Sequence, residues 1–154
     1  TTTSSKNVDW VKALGADRVI DYKTEDYKEI SKNLDIVFDT LGGDYTFDAF
    51  EVIKEGGKVA TIAGPPDDET AKQMGMKDYK LSEKLSKLVE KKAATYKLTW
   101  MQPDAEQLNT ISKMVEDGDI KPVVDLIYSI EDAVDAYLYL AKGRAKGKVI
   151  ISLV

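Results

Sequence analysis

Short apolar runs alternate along this chain with stretches whose apolar residues return every three or four positions. Val8, Val11 and Leu14 fall near helical spacing, with Gly15 as the stop. Val19-Ile20 predicts a short strand ending at Asp21-Tyr22. Thr24 is the expected cap of a helix with an acidic first turn and Tyr27 and Ile30 facing inward. Residues 34–40 predict a strand whose near-continuous apolar character implies burial on both faces. Asp44 is the expected cap of a helix carrying Phe47, Phe50 and Ile53; Gly56-Gly57 ends it, and a strand over 58–63 follows. The turn-rich residues 64–80 predict a surface excursion. A helix over 82–92 places Leu85, Leu88 and Val89 inward, and 95–101 predicts a strand. Asp104 with Gln107 resembles a capping box that opens a helix to Glu116, with Leu108, Ile111 and Val115 as its stripe. Residues 121–127 are extended. Ser129 and Asp132 suggest another capping box, before a helix burying Val134, Tyr137 and Ala141, and 147–154 form the last strand. This alternation predicts an α/β protein with a doubly wound parallel sheet.

Two strands end in small residues, at Thr40-Leu41-Gly42-Gly43 and at Thr61-Ile62-Ala63-Gly64-Pro65. In open α/β sheets the carboxyl ends of strands are where ligands bind. Composition narrows the chemistry. The 154 residues suffice for one core, and 43% hydrophobic with 32% charged residues fits a soluble domain. No apolar run approaches the ~18 residues of a membrane span. A net charge of −5 disfavours nucleic acid as a partner, since phosphate neutralisation needs a basic face. The chain has no Cys and no His, so it offers no thiolate, no imidazole base and no catalytic triad, and no catalytic or metal-ligating residue is assigned. With no secretory h-region visible, the expected location is cytoplasmic.

Six segments, in order, resemble the medium-chain dehydrogenase/reductase superfamily, particularly its quinone oxidoreductase-like and zinc-type alcohol dehydrogenase-like branch. They are Leu14-Gly-Ala-Asp-Arg-Val-Ile-Asp-Tyr22, Asp35-Ile-Val-Phe-Asp-Thr-Leu-Gly-Gly43, Gly56-Gly-Lys-Val-Ala60, Trp100-Met-Gln-Pro-Asp104, Gly118-Asp-Ile-Lys-Pro-Val123 and Gly143-Arg-Ala-Lys-Gly-Lys-Val-Ile150. The resemblance implies a Rossmann-like sheet entered inside its second strand, without the first strand and its glycine-rich turn; no G-x-G-x-x-G occurs. It also implies a partial dinucleotide-binding domain over 1–128, and a helix and strand over 129–154 that pack on a GroES-like catalytic domain. In the strand order 3-2-1-4-5-6, loss of strand 1 divides the sheet into a 3-2 piece and a 4-5-6 piece. A fragment of this kind is expected to be inactive alone.

By the same resemblance, the cofactor is NADP(H) and the reaction is reduction of a quinone, enone or other activated carbonyl. Ser4, Ser5 and Lys6, with Tyr22 and Arg144, are the expected contacts of the adenosine 2′-phosphate; Lys6 stands where an NAD-selective site has a carboxylate. Leu41, Gly42, Ile62, Ala63 and Gly64 are expected beside the ribose and nicotinamide, where small side chains allow close backbone approach. Trp100, Met101 and Gln102 are expected to line the nicotinamide pocket, and the strand at 96–101 to pair in a homodimer. Asp35 and Asp39 share a strand face but lie ~13 Å apart, too far to act on one bond, so both read as structural. The expected partners are a dinucleotide and a small-molecule substrate, with neither nucleic acid nor membrane. Two alternatives stay open. A class I methyltransferase shares the sequence of an Asp-Ile-Val-Phe-Asp strand followed by Gly-Gly-Lys-Val-Ala, and a non-catalytic binding module is compatible with the missing His and Cys.

Overall fold

The computed structural model describes residues 1–153, which pack as two compact units, one spanning Thr1–Met101 and the other beginning at Gln102. This division reports which parts of the chain pack on themselves. The boundary expected after residue 128 concerns packing on a further domain, a separate question.

The first unit begins with β1 (Thr2–Thr3), a short 3-10 turn (Ser5–Asn7) and α1 (Val8–Ala13). Next come β2 (Ile20–Asp21), α2 (Tyr27–Ile30), β3 (Leu34–Asp39), α3 (Asp44–Val52) and β4 (Ile53–Thr61). The unit closes with α4 (Asp68–Gln73), α5 (Glu83–Lys91) and β5 (Thr95–Leu98). Every pairing is parallel, in two separate sheets, β1-β2 and β3-β4-β5. The division into a two-stranded and a three-stranded piece is the one expected when the central strand of a doubly wound sheet is not between them. Side chains link the two pieces: Lys28 of α2 pairs with Asp48 of α3 at 3.3 Å, and the Tyr27 hydroxyl donates to the same carboxylate.

One face of the three-stranded sheet carries the core. Val37, Val59 and Tyr96 are register partners across β3, β4 and β5, and they pack under α3 and α5 with Ala49, Phe50, Ile53 and Leu85. Leu85 and Phe50 are fully enclosed, each contributing about 1.5–3 kcal/mol by removal from water. The opposite face corrects an expectation. Ile36 and Phe38 of β3 are 61% and 60% exposed, so this strand is buried on one side only. A run of apolar residues records suitability for two-sided burial; here helices cover one side.

Several element boundaries also differ from expectation. Asp26, not Thr24, caps α2, accepting from the Lys28 N–H. The α3 helix starts at Asp44 after Gly43 and ends at Val52, so Ile53 and Gly56-Gly57 belong to β4. Within 64–80, the excursion holds a short helix capped by Asp67.

The second unit contains α6 (Ala105–Glu116), β6 (Val124–Ser129), α7 (Ala133–Ala141) and β7 (Lys148–Ser152), with β6 and β7 paired in parallel. Asp104 caps α6 as expected, accepting from the Glu106 and Gln107 N–H groups. The stripes read as buried are open. Leu108, Ile111 and Val115 are exposed, and Val134 and Tyr137 are each 70% exposed, while Ala136 is the buried residue of α7. Periodicity identifies an apolar face without saying what covers it. No helix among the described residues is long and apolar enough to cross a membrane.

Candidate functional site

The carboxyl ends of β3 and β4 lie side by side because Asp39 and Thr61 are register partners on the same face. Asp39 is only 5% exposed and accepts four hydrogen bonds. Its Oδ1 takes the Leu41 and Gly42 N–H groups, both at 2.9 Å; its Oδ2 takes the hydroxyls of Thr46 at 2.6 Å and Thr61 at 3.1 Å. Thr61 Oγ1 in turn accepts from Ala63 N–H at 3.1 Å and Gly64 N–H at 2.7 Å. The Ile62 N–H donates to the Asp39 carbonyl at 3.0 Å. Burial alone would raise the pKa of Asp39; the bonds from Thr46, Gly42, Leu41 and Thr61 outweigh it and hold the carboxyl below its usual range.

This network decides what the two strand-end loops can offer. The N–H groups of Leu41, Gly42, Ile62, Ala63 and Gly64 are all engaged inside the protein, so these five donors do not form an anion nest. The Leu41 and Ile62 side chains are exposed at the same edge. The surface therefore suits a neutral, partly apolar ligand group and not a phosphate. The glycines allow the tight fit. Gly42 has φ of +71°, and a Cβ there would overlap the carbonyl of Ala63; a Cβ on Gly64 would meet the Tyr96 hydroxyl at 2.8 Å and Thr46 Oγ1 at 2.9 Å. The Tyr96 hydroxyl donates to the Pro65 carbonyl, and burial pushes its pKa up. Asp67 completes the frame by joining α4 to β5: it accepts from Thr70 and from the Leu98 N–H at 2.9 Å.

A second edge is formed by β1 and β2. Tyr22 N–H donates to the Thr3 carbonyl at 3.1 Å, which places Ser4, Ser5 and Lys6 beside Tyr22 at the ends of adjacent parallel strands. Lys6 and Tyr22 are exposed. Ser4 is buried at 8% exposure, and the Ser5 side chain bonds Asp21, which lowers the pKa of that carboxyl together with the Lys23 N–H. Of the residues expected here, Ser5, Lys6 and Tyr22 are exposed, and Ser4 is buried in the turn.

Trp100 and Met101 follow β5 and are exposed; the Thr99 N–H donates to the Thr61 carbonyl at 2.8 Å, so this segment leaves the sheet next to the β4 loop. Gln102 opens the second unit, and Arg144 lies within it on the loop between α7 and β7. That loop is fastened by Asp125, whose Oδ2 accepts from the Tyr139 hydroxyl at 2.8 Å and the Lys146 N–H at 3.0 Å. Sequence reasoning set Asp39 aside as structural and did not single out Thr46, Thr61, Tyr96 or Asp67. The available signal was an acidic residue closing an apolar strand two positions before a Leu-Gly-Gly turn, which provides N–H groups for it to accept.

The sequence profile of the zinc-binding dehydrogenase family matches residues 14–151. The chain belongs to that family. Among relatives of known name, the 2-methylene-furan-3-one reductase of Solanum lycopersicum is 31% identical over 97% of this chain and 32% of its own length. The chloroplastic NADPH-dependent alkenal/one oxidoreductase of Arabidopsis thaliana is 30% identical over 97% and 32%, respectively. The solved quinone oxidoreductase from Coxiella burnetii superposes with a TM-score of 0.78 at 25% identity, covering all of this chain and 44% of that one. The chain spans less than half the length of each. Membership in a dehydrogenase family sets the methyltransferase alternative aside, and the superposition places the fold with Rossmann-like dehydrogenase domains. The zinc of the family's name finds no fit in these residues. With neither Cys nor His in the sequence, and no cluster of three or more Asp and Glu among the described residues, these residues offer no donor set for that ion.

Proposed function

We propose that this chain is the dinucleotide-binding part of an NADP(H)-dependent oxidoreductase that reduces an enone, quinone or other activated carbonyl. The observation that carries the reading is the contrast between the two strand edges. The β3 and β4 ends have their backbone donors engaged internally and expose Leu41 and Ile62, which suits a nicotinamide riboside. The β1-β2 edge exposes Lys6 and Tyr22 and has no carboxylate in the Thr3-Ser4-Ser5-Lys6 turn, which suits a phosphate on the adenosine ribose. The names of the relatives, an enone reductase, an NADPH-dependent alkenal/one oxidoreductase and a quinone oxidoreductase, agree in reaction class.

When bound, the dinucleotide supplies the hydride. The residues of this chain bind and orient it. Lys6 would neutralise the 2′-phosphate, and Tyr22 would wall the adenosine side. Leu41, Gly42, Ile62, Ala63 and Gly64 would seat the ribose and the nicotinamide ring, and Trp100 and Met101, exposed where the chain leaves the sheet, would shield it from water. Catalysis here is positioning of a reactive group, and the protein's share is orientation and exclusion of solvent. The test is NADPH consumption, followed by absorbance, by the full-length protein with small α,β-unsaturated ketones and quinones. Turnover with NADPH supports the proposal. Turnover with NADH and none with NADPH overturns the cofactor assignment, and no turnover of either substrate class overturns the reaction.

A further inference from the structure

We infer that Asp39 is a positioning residue for the nicotinamide side of the site, and that it acts on the β4 loop through Thr61. The inference rests on the dinucleotide reading above and adds a residue and a direction of control to it.

A threonine hydroxyl has one proton and two lone pairs. Both acceptor positions of Thr61 Oγ1 are taken, by Ala63 N–H at 3.1 Å and Gly64 N–H at 2.7 Å. Its single proton therefore has one use, the bond to Asp39 Oδ2 at 3.1 Å. That oxygen must accept, and it also receives the Thr46 hydroxyl at 2.6 Å. Only an ionised carboxylate provides two oxygens that each accept twice at this buried position, one for the β3 loop and one for Thr61 and Thr46.

Replacement by Asn separates the two loops. The Asn carbonyl oxygen can still take the Leu41 and Gly42 N–H groups. Its amide nitrogen would face Thr61 Oγ1, which has no lone pair left to accept it, and a donor would oppose a donor. Asp39→Asn thus preserves the anchor of Leu41-Gly42 and releases that of Ala63-Gly64. The β4 loop carries Ile62, Ala63 and Gly64, whereas the β1-β2 edge with Lys6 shares no bond with this network among those the structure shows. A general loss of structure would affect both edges. A positioning role affects one.

The experiment measures, in the full-length protein, dissociation constants for NADPH and for adenosine 2′,5′-bisphosphate, which probes the phosphate edge alone. It compares wild type with Asp39→Asn and with Thr61→Val, which removes the same link without touching the carboxylate, and it uses Thr61→Ser as the conservative rescue. NADPH binding weakened about tenfold in Asp39→Asn and Thr61→Val, with bisphosphate binding unchanged and Thr61→Ser near wild type, is the expected result, the size corresponding to one hydrogen bond of the bound state. Unchanged NADPH binding, or equal weakening of both ligands, overturns the inference. If wild type binds bisphosphate and NADPH not at all, the dinucleotide reading itself fails, and the inference with it.

Discussion

Replacing Gly42 by Ala should destabilise the first unit by about 3 kcal/mol, from two separable causes. The residue has φ of +71°, a left-handed conformation that costs an L-residue roughly 1–2 kcal/mol. The new Cβ would also overlap the Ala63 carbonyl, whose carbon lies 2.8 Å away, inside normal van der Waals contact. The carbonyl is backbone and the Cβ is fixed to its own Cα, so relief requires the two strand-end loops to part by roughly 1 Å to reach ordinary contact distance. Such a shift stretches the 2.9 Å bond from Gly42 N–H to Asp39 beyond hydrogen-bonding range. Leaving that buried pair unmade costs about 1–3 kcal/mol. Gly75→Ala is the matched control: its φ is +80°, and a Cβ there meets nothing within 4 Å, so it bears the conformational cost alone. Urea unfolding monitored by tryptophan fluorescence suits the comparison, because Trp10 and Trp100 both belong to this unit. Gly42→Ala should lie about 2 kcal/mol below Gly75→Ala, by the lost bond alone. Two variants of equal stability would refute the claim that Gly42 is needed for close approach of the loops.

Acid should weaken the same region. Asp39 and Asp67 are both held below the usual carboxylate range: burial opposes ionisation in each, and hydrogen bonds outweigh it, from Thr46, Gly42, Leu41 and Thr61 for Asp39 and from Thr70 and the Leu98 N–H for Asp67. A depressed folded-state pKa means stability that is present above the unfolded value of about 3.9 and lost as pH falls through the lower folded value. Unfolding midpoints measured from neutral pH downward should therefore decline most steeply below about pH 4, and Asp39→Asn should flatten that decline; an unchanged profile in the variant would count against the role of this carboxylate. On the second unit, Asp125→Ala should free the loop carrying Arg144, because the bonds from Tyr139 and Lys146 are lost together. Hydrogen exchange should then speed up at Lys146 relative to wild type, with the β6-β7 amides unaffected.

Among the described residues, the alternation of short apolar runs with helical periodicity was enough to place six of the seven strands and six of the seven helices, most of them within a few residues. The β1 strand was expected only from the family resemblance, and β4 begins five residues early because its boundary depends on local turn chemistry. The α4 helix was not legible, because Asp67 caps it from within a stretch whose prolines and acidic residues read as loop. The division of the first-unit sheet into two pieces was legible from topology. Exposure was not. The stripes of Leu108, Ile111 and Val115 and of Val134 and Tyr137 have the spacing of buried faces and remain open, since spacing carries no information about the surface opposite. At the site, the small residues at the strand ends were readable because backbone approach demands them. The hub was hidden because a carboxylate at a strand end is ordinary in sequence, and its four donors come from four separate residues brought together by parallel register and turn geometry. Ser4 shows the converse: a hydroxyl in a promising position is buried once the turn folds.

In the function proposed above, the chain holds a dinucleotide with its phosphate-selective edge at Lys6 and its nicotinamide edge at Gly42 and Gly64. The most direct test is the ratio of the NADH and NADPH dissociation constants of the full-length protein, measured by nicotinamide fluorescence in wild type and in Lys6→Ala. The account predicts that wild type binds NADPH at least about tenfold more tightly, as one charge-assisted hydrogen bond provides, and that Lys6→Ala removes most of that preference. NADH bound as tightly as NADPH by the wild type would contradict it.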